Sequence, residues 1–356
     1  MQDVLSQLTG PTLLISERRV RSNLTRMQAR AVRHGLELIP HAKTHQHATV
    51  SRWLQEDGVA ETTVTSLRMA RECANHGWTR MTIGMPLNVH ELPALNELAK
   101  ALALTVFLTD AMTATTFNKR ADPSVGFYVE VDAGYGRSGV PCADVRALRC
   151  IIDAGGRDRW RGFYVHSGHT YDARGKADVA TVHRQLLARV AELRREFGAD
   201  FRMAIGDTPA CSTQEKFTGI SSIGPGNYVY YDLTQAVIGS CAVEEIAVCA
   251  ALPVLQVKSE SGEVIVHGGW AQLGKDHLPE GSYGRVVKID QRGYWTLLNA
   301  ADRVTKLSQE HGTLRLTPSS LATLNLHAGS WIGVLPVHAC ATVHGMRLAG
   351  EQRIVS

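Results

Sequence analysis

Between residues 37 and 223 the chain alternates, eight times over, between a short apolar run and a helix-like stretch. This alternation constrains the fold more than any single motif. The apolar runs are ELIPHAK (37–43), GVAETTV (58–64), MTIGMP (81–86), LTVFLTD (104–110), VGFYVEVDA (125–133), RGFYVHSG (161–168), FRMAIGD (201–207) and TGISSIG (218–224). Between them lie stretches such as NVHELPALNELAKALA (88–103) and VATVHRQLLARVAELRREFG (179–198). In the second of these, Val182, Leu186, Leu187, Val190 and Leu193 recur three or four apart, which is the spacing of one helical face. Strands separated by helices pair in parallel, and eight of them close a (β/α)8 barrel of the TIM type. An open doubly wound sheet is the alternative, and no GxGxxG follows a first strand to support it.

After residue 232 the texture changes. EEIAVCAALPVLQV, GEVIVHGG, YGRVVKI, TLRLT and WIGVLPVHACATVH are short, rich in Val and Ile, and broken by Gly, Pro and Asn, as antiparallel strands are. The expected architecture is therefore an α/β barrel over residues 12–235, followed by an antiparallel β domain over residues 236–356 to which residues 1–11 can attach.

Composition narrows the function. The net charge of +4 is spread along the chain without a basic run, so no nucleic-acid or membrane-surface partner is expected. No apolar run nears the ~20 residues that span a bilayer. MQDVLSQLTGPT lacks the basic and apolar regions of a secretory signal. The seven cysteines have no disulfide-like spacing, and Cys150, Cys241 and Cys249 fall in apolar segments. Buried, reduced thiols in a cytoplasmic protein are the expectation.

A parallel barrel builds its site at the carboxyl ends of its strands. Applied here, that rule brings several chemical groups together. The first run ends in PHAKTH with Lys43, and the fifth leads into DAGYGRSG with Arg137. The sixth ends in HSGHTY, the seventh in GDTP and the eighth in GPGNYVYYD. Glycine-rich turns after the last strands let backbone N–H groups approach a phosphate. A phosphate cradle facing a lysine fits pyridoxal phosphate, whose aldehyde forms a Schiff base with an amine. Taken singly, a lysine at a strand end is more often solvated or ion-paired, and a glycine turn needs no ligand to explain it. Near the C-terminus, PVHACATVH sets His338 and Cys340 two apart, on one face if the segment is a strand. Imidazole and thiolate suit Zn²⁺, although a buried cysteine beside a structural histidine is also compatible.

These motifs, with TLLIS (12–16), VHGGWAQLGKDHLP (266–279) and LSQEHG (307–312), resemble the D-serine dehydratase and D-threonine aldolase family over nearly the whole chain. This is a group of alanine-racemase-like pyridoxal-phosphate enzymes of fold type III. The resemblance implies that Lys43 carries the cofactor, with Arg137 near its phenolic oxygen, Tyr171 near the pyridine nitrogen and His166 beside the ring. It implies a phosphate held by Thr208, Gly226, Asn227 and Tyr228, and a divalent metal on His338 and Cys340. The resemblance leaves Gln309, Glu310 and His311 without a role. Racemases place an arginine where this chain has Gly224, which speaks against racemisation. Aldolase members place aspartate where this chain has Cys340, and dehydratase members place cysteine. A thiolate favours Zn²⁺, whereas a carboxylate suits Mn²⁺ or Mg²⁺.

The expected activity is thus dehydration of a D-3-hydroxy amino acid such as D-serine to a 2-oxo acid and ammonia. Lys43 would remove the α-proton, and the metal would assist loss of the β-hydroxyl. Aldol cleavage to glycine and an aldehyde is the alternative, and a cofactor carrier without turnover is a more distant one. The family resemblance also implies a homodimer in which one subunit's His338 and Cys340 can serve the other's Lys43.

Overall fold

The computed structural model describes residues 3–356, so the first two residues of the 1–11 segment lie outside the described residues. The chain forms two compact units. One comprises Leu24–Tyr228 and Ile238–Ser240; the other comprises the chain up to Asn23, Val229–Val237 and Cys241–Ser356.

Strand β1 (Thr12–Ser16) belongs to the second unit. The first unit is built on β2 (Glu37–Leu38), β3 (Thr62–Val64), β4 (Arg80–Pro86), β5 (Ala103–Leu108) and β6 (Gly126–Asp132). A two-residue strand, β7 (Val140–Pro141), pairs with β6, and β8 (Trp160–Val165), β9 (Arg202–Ile205) and β10 (Ser222–Ile223) complete the set. Each apolar run read from the sequence overlaps one of the eight main strands. All pair in parallel in the order β2-β10-β9-β8-β6-β5-β4-β3. The ring closes beyond β2, where the Thr63 N–H donates to the Pro40 carbonyl (2.9 Å) and the Ala42 N–H to the Thr63 carbonyl (2.8 Å).

Strand alternation divides the side chains between two layers. Phe127 and Phe163 point out and meet helix side chains, Phe117 at 5.6 Å and Phe197 at 5.0 Å between ring centroids. Tyr128, Tyr164 and Ala204 point in and pack on Phe107, with Tyr164 4.4 Å from its ring. Helix Lys176–Phe197 buries Val179, His183, Leu186, Val190 and Leu193. His183 therefore takes a place on the face for which the sequence offered Val182 and Leu187.

The second unit is antiparallel around its core. Strands β11 (Val248–Lys258), β12 (Glu263–His267), β13 (Gly284–Ile289), β14 (Trp295–Leu297), β15 (Arg303–Leu307), β16 (His311–Arg315) and β17 (Trp331–Pro336) precede a last strand, β18 (Glu351–Val355). Pairing runs β12-β16-β15-β13-β17-β11 and returns to β12, so six strands close a small barrel. Strand β11 runs 11 residues, pairs with β17 over Ala250–Pro253 and with β12 from Val254 onward, and bulges between Val254 and Gln256. Two features differ from the sequence reading. TLLIS, inside the 12–235 bounds expected for the barrel, belongs to the β unit: β1 pairs antiparallel with β11 and parallel with β18. Helix Ala339–Ala349 also occupies most of the stretch after Pro336 that reads as continuous strand.

No disulfide links the seven cysteines. Cys249 is buried as expected, but Cys150 is exposed, on the outer side of helix Val145–Gly155, and Cys241 is half-buried. Among the described residues, no helix is long and apolar enough to cross a membrane.

Candidate active site

In the (β/α)8 unit, the chain leaves β2, bridges to Thr63 through His41 and turns over residues 42–45. Lys43 lies on this turn with an exposed side chain. Gln46, at φ 44°, returns its side-chain amide to the Lys43 carbonyl (2.7 Å), which fixes the turn through its backbone and leaves the amine uncommitted. Two histidines face it. Burial, then the charges of Lys43, His166 and His45, hold His41 well below the ordinary imidazole range. Burial, Arg137 and Lys43 bring His166 to about 4, against a bond to the Gly206 carbonyl that favours the proton. Both rings are neutral at pH 7.

Arg137 comes from the loop after β6. The Asp132 carboxylate collects the N–H groups of Gly134 and Tyr135 at 2.9 Å and of Gly136 at 3.1 Å, which folds the loop back. Arg137 lies 4.0 Å from Glu130, a buried carboxylate that also accepts from Ser138 at 2.9 Å. Tyr135 stacks on His169 (5.9 Å) and meets His166 edge-on (5.7 Å). Gly168 has to be glycine here, since a Cβ would run into the Tyr135 ring.

The turns after β9 and β10 are tied together. Asp207 caps helix Thr208–Thr213 through the Ala210 N–H and accepts from the Thr170 hydroxyl at 3.1 Å. Its burial raises its pKa to about 6. The Thr208 N–H donates to the Tyr171 hydroxyl (3.2 Å), and the Thr208 hydroxyl accepts from the Asn227 N–H (3.1 Å). A Cβ on Gly226 would lie 3.0 Å from the Thr44 hydroxyl and 3.1 Å from the His41 Cβ, so this loop packs directly on the lysine turn. Tyr228 is fully buried behind it. Lys43, Arg137, His166, Tyr171, Thr208, Gly226, Asn227 and Tyr228 therefore converge on one end of the barrel. The set fits pyridoxal phosphate: an amine on one side, hydroxyl and backbone donors on the other, and a glycine where backbone must approach closely.

The second constellation lies in the β unit, and its geometry corrects the sequence reading. His338 and Cys340 are not on a strand. Strand β17 stops at Pro336, His338 is the residue before helix Ala339–Ala349, and Cys340 lies in its first turn. The cause is Asp232, whose carboxylate accepts from the Ala339 N–H at 2.9 Å and starts the helix. His338 and Cys340 remain neighbours because they share one turn. The Asp276 carboxylate lies 3.2 Å from His338 Nδ1. Burial works against a charge on this imidazole, whereas the neighbouring Asp276 and Cys340 favour one. Among the described residues, no group of three His, Cys, Asp or Glu is placed to hold a metal. The nitrogen and sulfur donors of His338 and Cys340 suit zinc as a two-ligand site whose other positions water or substrate would fill.

The LSQEHG segment is tied into the β unit by backbone and side-chain bonds. It makes the β15–β16 turn, where the Glu310 carbonyl accepts from Gly268 (2.9 Å) and the Ser308 carbonyl from Trp270 (2.9 Å). The Glu310 carboxylate accepts from Gln272 at 2.8 Å. Sequence reasoning missed Asp132, Glu130, Asp207, Asp232 and Asp276. Asp207 alone carried a signal, because Asp-Thr-Pro is a helix-start pattern.

Comparison with known proteins gives the family. The alanine racemase N-terminal domain family matches residues 15–232, more than half of the chain, and a putative serine dehydratase domain family matches residues 247–349. D-threo-3-hydroxyaspartate dehydratase of Delftia sp. (strain HT23) is 27% identical over 363 residues, covering 96% of this chain and 93% of that protein. D-serine dehydratase of Dictyostelium discoideum is 22% identical, covering 96% and 92%. The solved Delftia structure superposes with a TM-score of 0.88 at 25% identity, over 99% of this chain and 96% of that one. Mutants of that enzyme have been solved with a histidine, and with a cysteine two positions later, changed to alanine; the cysteine mutant is in the metal-free form. The chain belongs to the D-serine dehydratase and D-threonine aldolase family, the alanine-racemase-like pyridoxal-phosphate lyases of fold type III.

Proposed function

We propose that this chain is a pyridoxal-phosphate- and zinc-dependent dehydratase that converts a D-3-hydroxy amino acid to a 2-oxo acid and ammonia. The observation that carries this reading is the pairing of His338 with Cys340 at one helix start, in a chain whose named relatives include dehydratases. Lys43 would hold the cofactor, Thr208 with the Gly226–Tyr228 turn its phosphate, and Arg137, His166 and Tyr171 its ring. Bound there, the cofactor supplies an electron sink for the pair left at Cα. The Lys43 amine would take the α-proton. His41 and His166, held uncharged by burial, place no further positive charge beside an amine that becomes charged on taking that proton. A metal on His338 and Cys340 supplies a Lewis acid for the departing β-hydroxyl. Loss of the α-proton and the β-hydroxyl removes one water, and the enamine product hydrolyses to 2-oxo acid and ammonia. The family resemblance extends this reading to a cytoplasmic homodimer.

The test is product analysis with D-serine and D-threo-3-hydroxyaspartate, assaying ammonia, 2-oxo acid and glycine with and without chelator. The expected result is ammonia and 2-oxo acid in equal amounts, lost on chelation and restored by zinc. Glycine with an aldehyde would replace this reading with aldol cleavage. Bound cofactor with neither product would sink both.

A further inference from the structure

His338 stands at a helix start, where a side chain usually bonds the free N–H groups of the first turn. It does not do so: its imidazole makes no capping bond, and Asp232 caps the helix instead. The ring is thereby free to turn to Asp276. That aspartate lies in the loop after helix Trp270–Leu273, and the loop is pinned to the helix that carries Cys340. The Thr342 hydroxyl, buried one turn on, donates to the Leu273 carbonyl (3.0 Å). Gly274, at φ +81°, comes so close that a Cβ would lie 3.1 Å from the Ala341 Cβ. A Cβ on Gly345 would press into the Ala271 and Gln272 carbonyls. Three contacts thus fix the spacing between loop and helix, although Asp276 itself is exposed. Among the described residues, His338 is the only side chain that its carboxylate bonds.

We infer that Asp276 is a positioning residue for a metal: it accepts a hydrogen bond from His338 Nδ1, which fixes the ring's tautomer and orientation and leaves Nε2 for the ion. An imidazole with its proton held on Nδ1 has its lone pair on Nε2, and a carboxylate at the far nitrogen makes that lone pair more basic. The inference rests on the proposed metal site and adds to it a residue that does not touch the ion. An exposed His–Asp pair with no such role would add little to stability and nothing to metal binding.

The experiment is zinc titration of the full-length protein against a chromophoric chelator, for the native chain and for Asp276→Ala, Asp276→Asn and His338→Ala. Bound pyridoxal phosphate and melting temperature are read alongside to confirm an intact fold. Asp276→Ala should weaken zinc by ~10–100-fold. Asp276→Asn keeps an oxygen that accepts from Nδ1–H, so it should recover most of that loss. Zinc affinity of Asp276→Ala within twofold of native would overturn the inference while leaving the metal site standing. Equal, large losses in the Ala and Asn variants would also overturn it, by making Asp276 a ligand. A native chain with no zinc affinity beyond that of His338→Ala would remove the proposed metal site and the inference with it.

Discussion

The two candidate sites are built by opposite means. At the barrel end, seven side chains and one glycine arrive from the ends of five strands, and strong local contacts hold them: Asp207 on Ala210 and Thr170, Thr208 on Asn227, Asp132 on three successive N–H groups. In the β unit, the two donors come from one helical turn, and their arrangement depends on carboxylates far away in sequence, Asp232 and Asp276. A site spread over many rigid strand ends tolerates small losses and fails through its single reactive group. A site on one turn fails through its supports. Each variant below tests one side of that contrast.

The largest effect is expected at Lys43. Lys43→Ala should lower turnover by ~10³-fold or more, since proton transfer by a placed base is worth ~10²–10⁴-fold and covalent attachment is lost as well. Absorbance of the bound cofactor should change while zinc affinity stays native. Activity within tenfold of native would remove Lys43 from the reaction.

Two glycines form the next pair. Gly226→Ala puts a methyl 3.0 Å from the Thr44 hydroxyl and 3.3 Å from the His41 carbonyl, so the phosphate turn must move away from the lysine turn. Overpacking of this kind costs about 1–3 kcal/mol, read here as ~10–100-fold weaker pyridoxal phosphate with zinc unchanged. Gly345→Ala, pressing on the Ala271 carbonyl, should do the reverse and weaken zinc while sparing the cofactor. Both ligands falling together in both variants would break the contrast.

Much of the barrel was legible because each strand left an apolar run and each connection a helical period, and the rule for strand ends then placed Lys43 and Arg137 without further information. The β unit was less so. TLLIS reads as a strand whatever its partner, and nothing in those five residues shows that it pairs in parallel with Glu351–Val355. WIGVLPVHACATVH contains no Gly or Asn break after Pro336, so it reads as continuous strand. The group that starts a helix at Ala339 is a carboxylate 107 residues earlier. Asp276, in an exposed polar loop, carries no periodic signal at all. Local pattern encodes elements, whereas caps and second carboxylates are encoded only by the folded chain.

Asp207 gives a pH signature of the barrel site. Its pKa rises from 3.8 to about 6 on burial, so the folded state holds the proton more tightly than the unfolded one. The stability from this group is complete below pH ~4 and is lost as pH rises through ~6, a change on the order of 3 kcal/mol. Asp207→Asn keeps an acceptor for the Ala210 N–H and has no such proton. Urea denaturation at pH 4.5 and pH 7 should show native stability falling by about 2 kcal/mol more than that of the variant. Parallel curves would mean that Asp207 stays ionised across the range.

The smallest effect tests the supports of the β unit. Asp232 places one oxygen on the Gln235 N–H and the other on the Ala339 N–H, both at 2.9 Å, so a single carboxylate starts two helices. Removing a cap costs ~1 kcal/mol, and Asp232→Ala should lower the melting temperature by a few degrees. The informative reading is zinc. With Asp232 gone, the Ala339 N–H loses its acceptor, and a His338 ring that turned to cap the first turn from the N-cap position would leave Asp276. Zinc affinity should therefore fall by more than the stability loss alone would produce, with pyridoxal phosphate still bound at native affinity. Asp232→Asn, which keeps one acceptor oxygen, should fall between native and Ala in both measurements. If zinc affinity were native in Asp232→Ala, the helix start would be set by packing against residues 271–274 instead, and the β site would be as locally held as the barrel end.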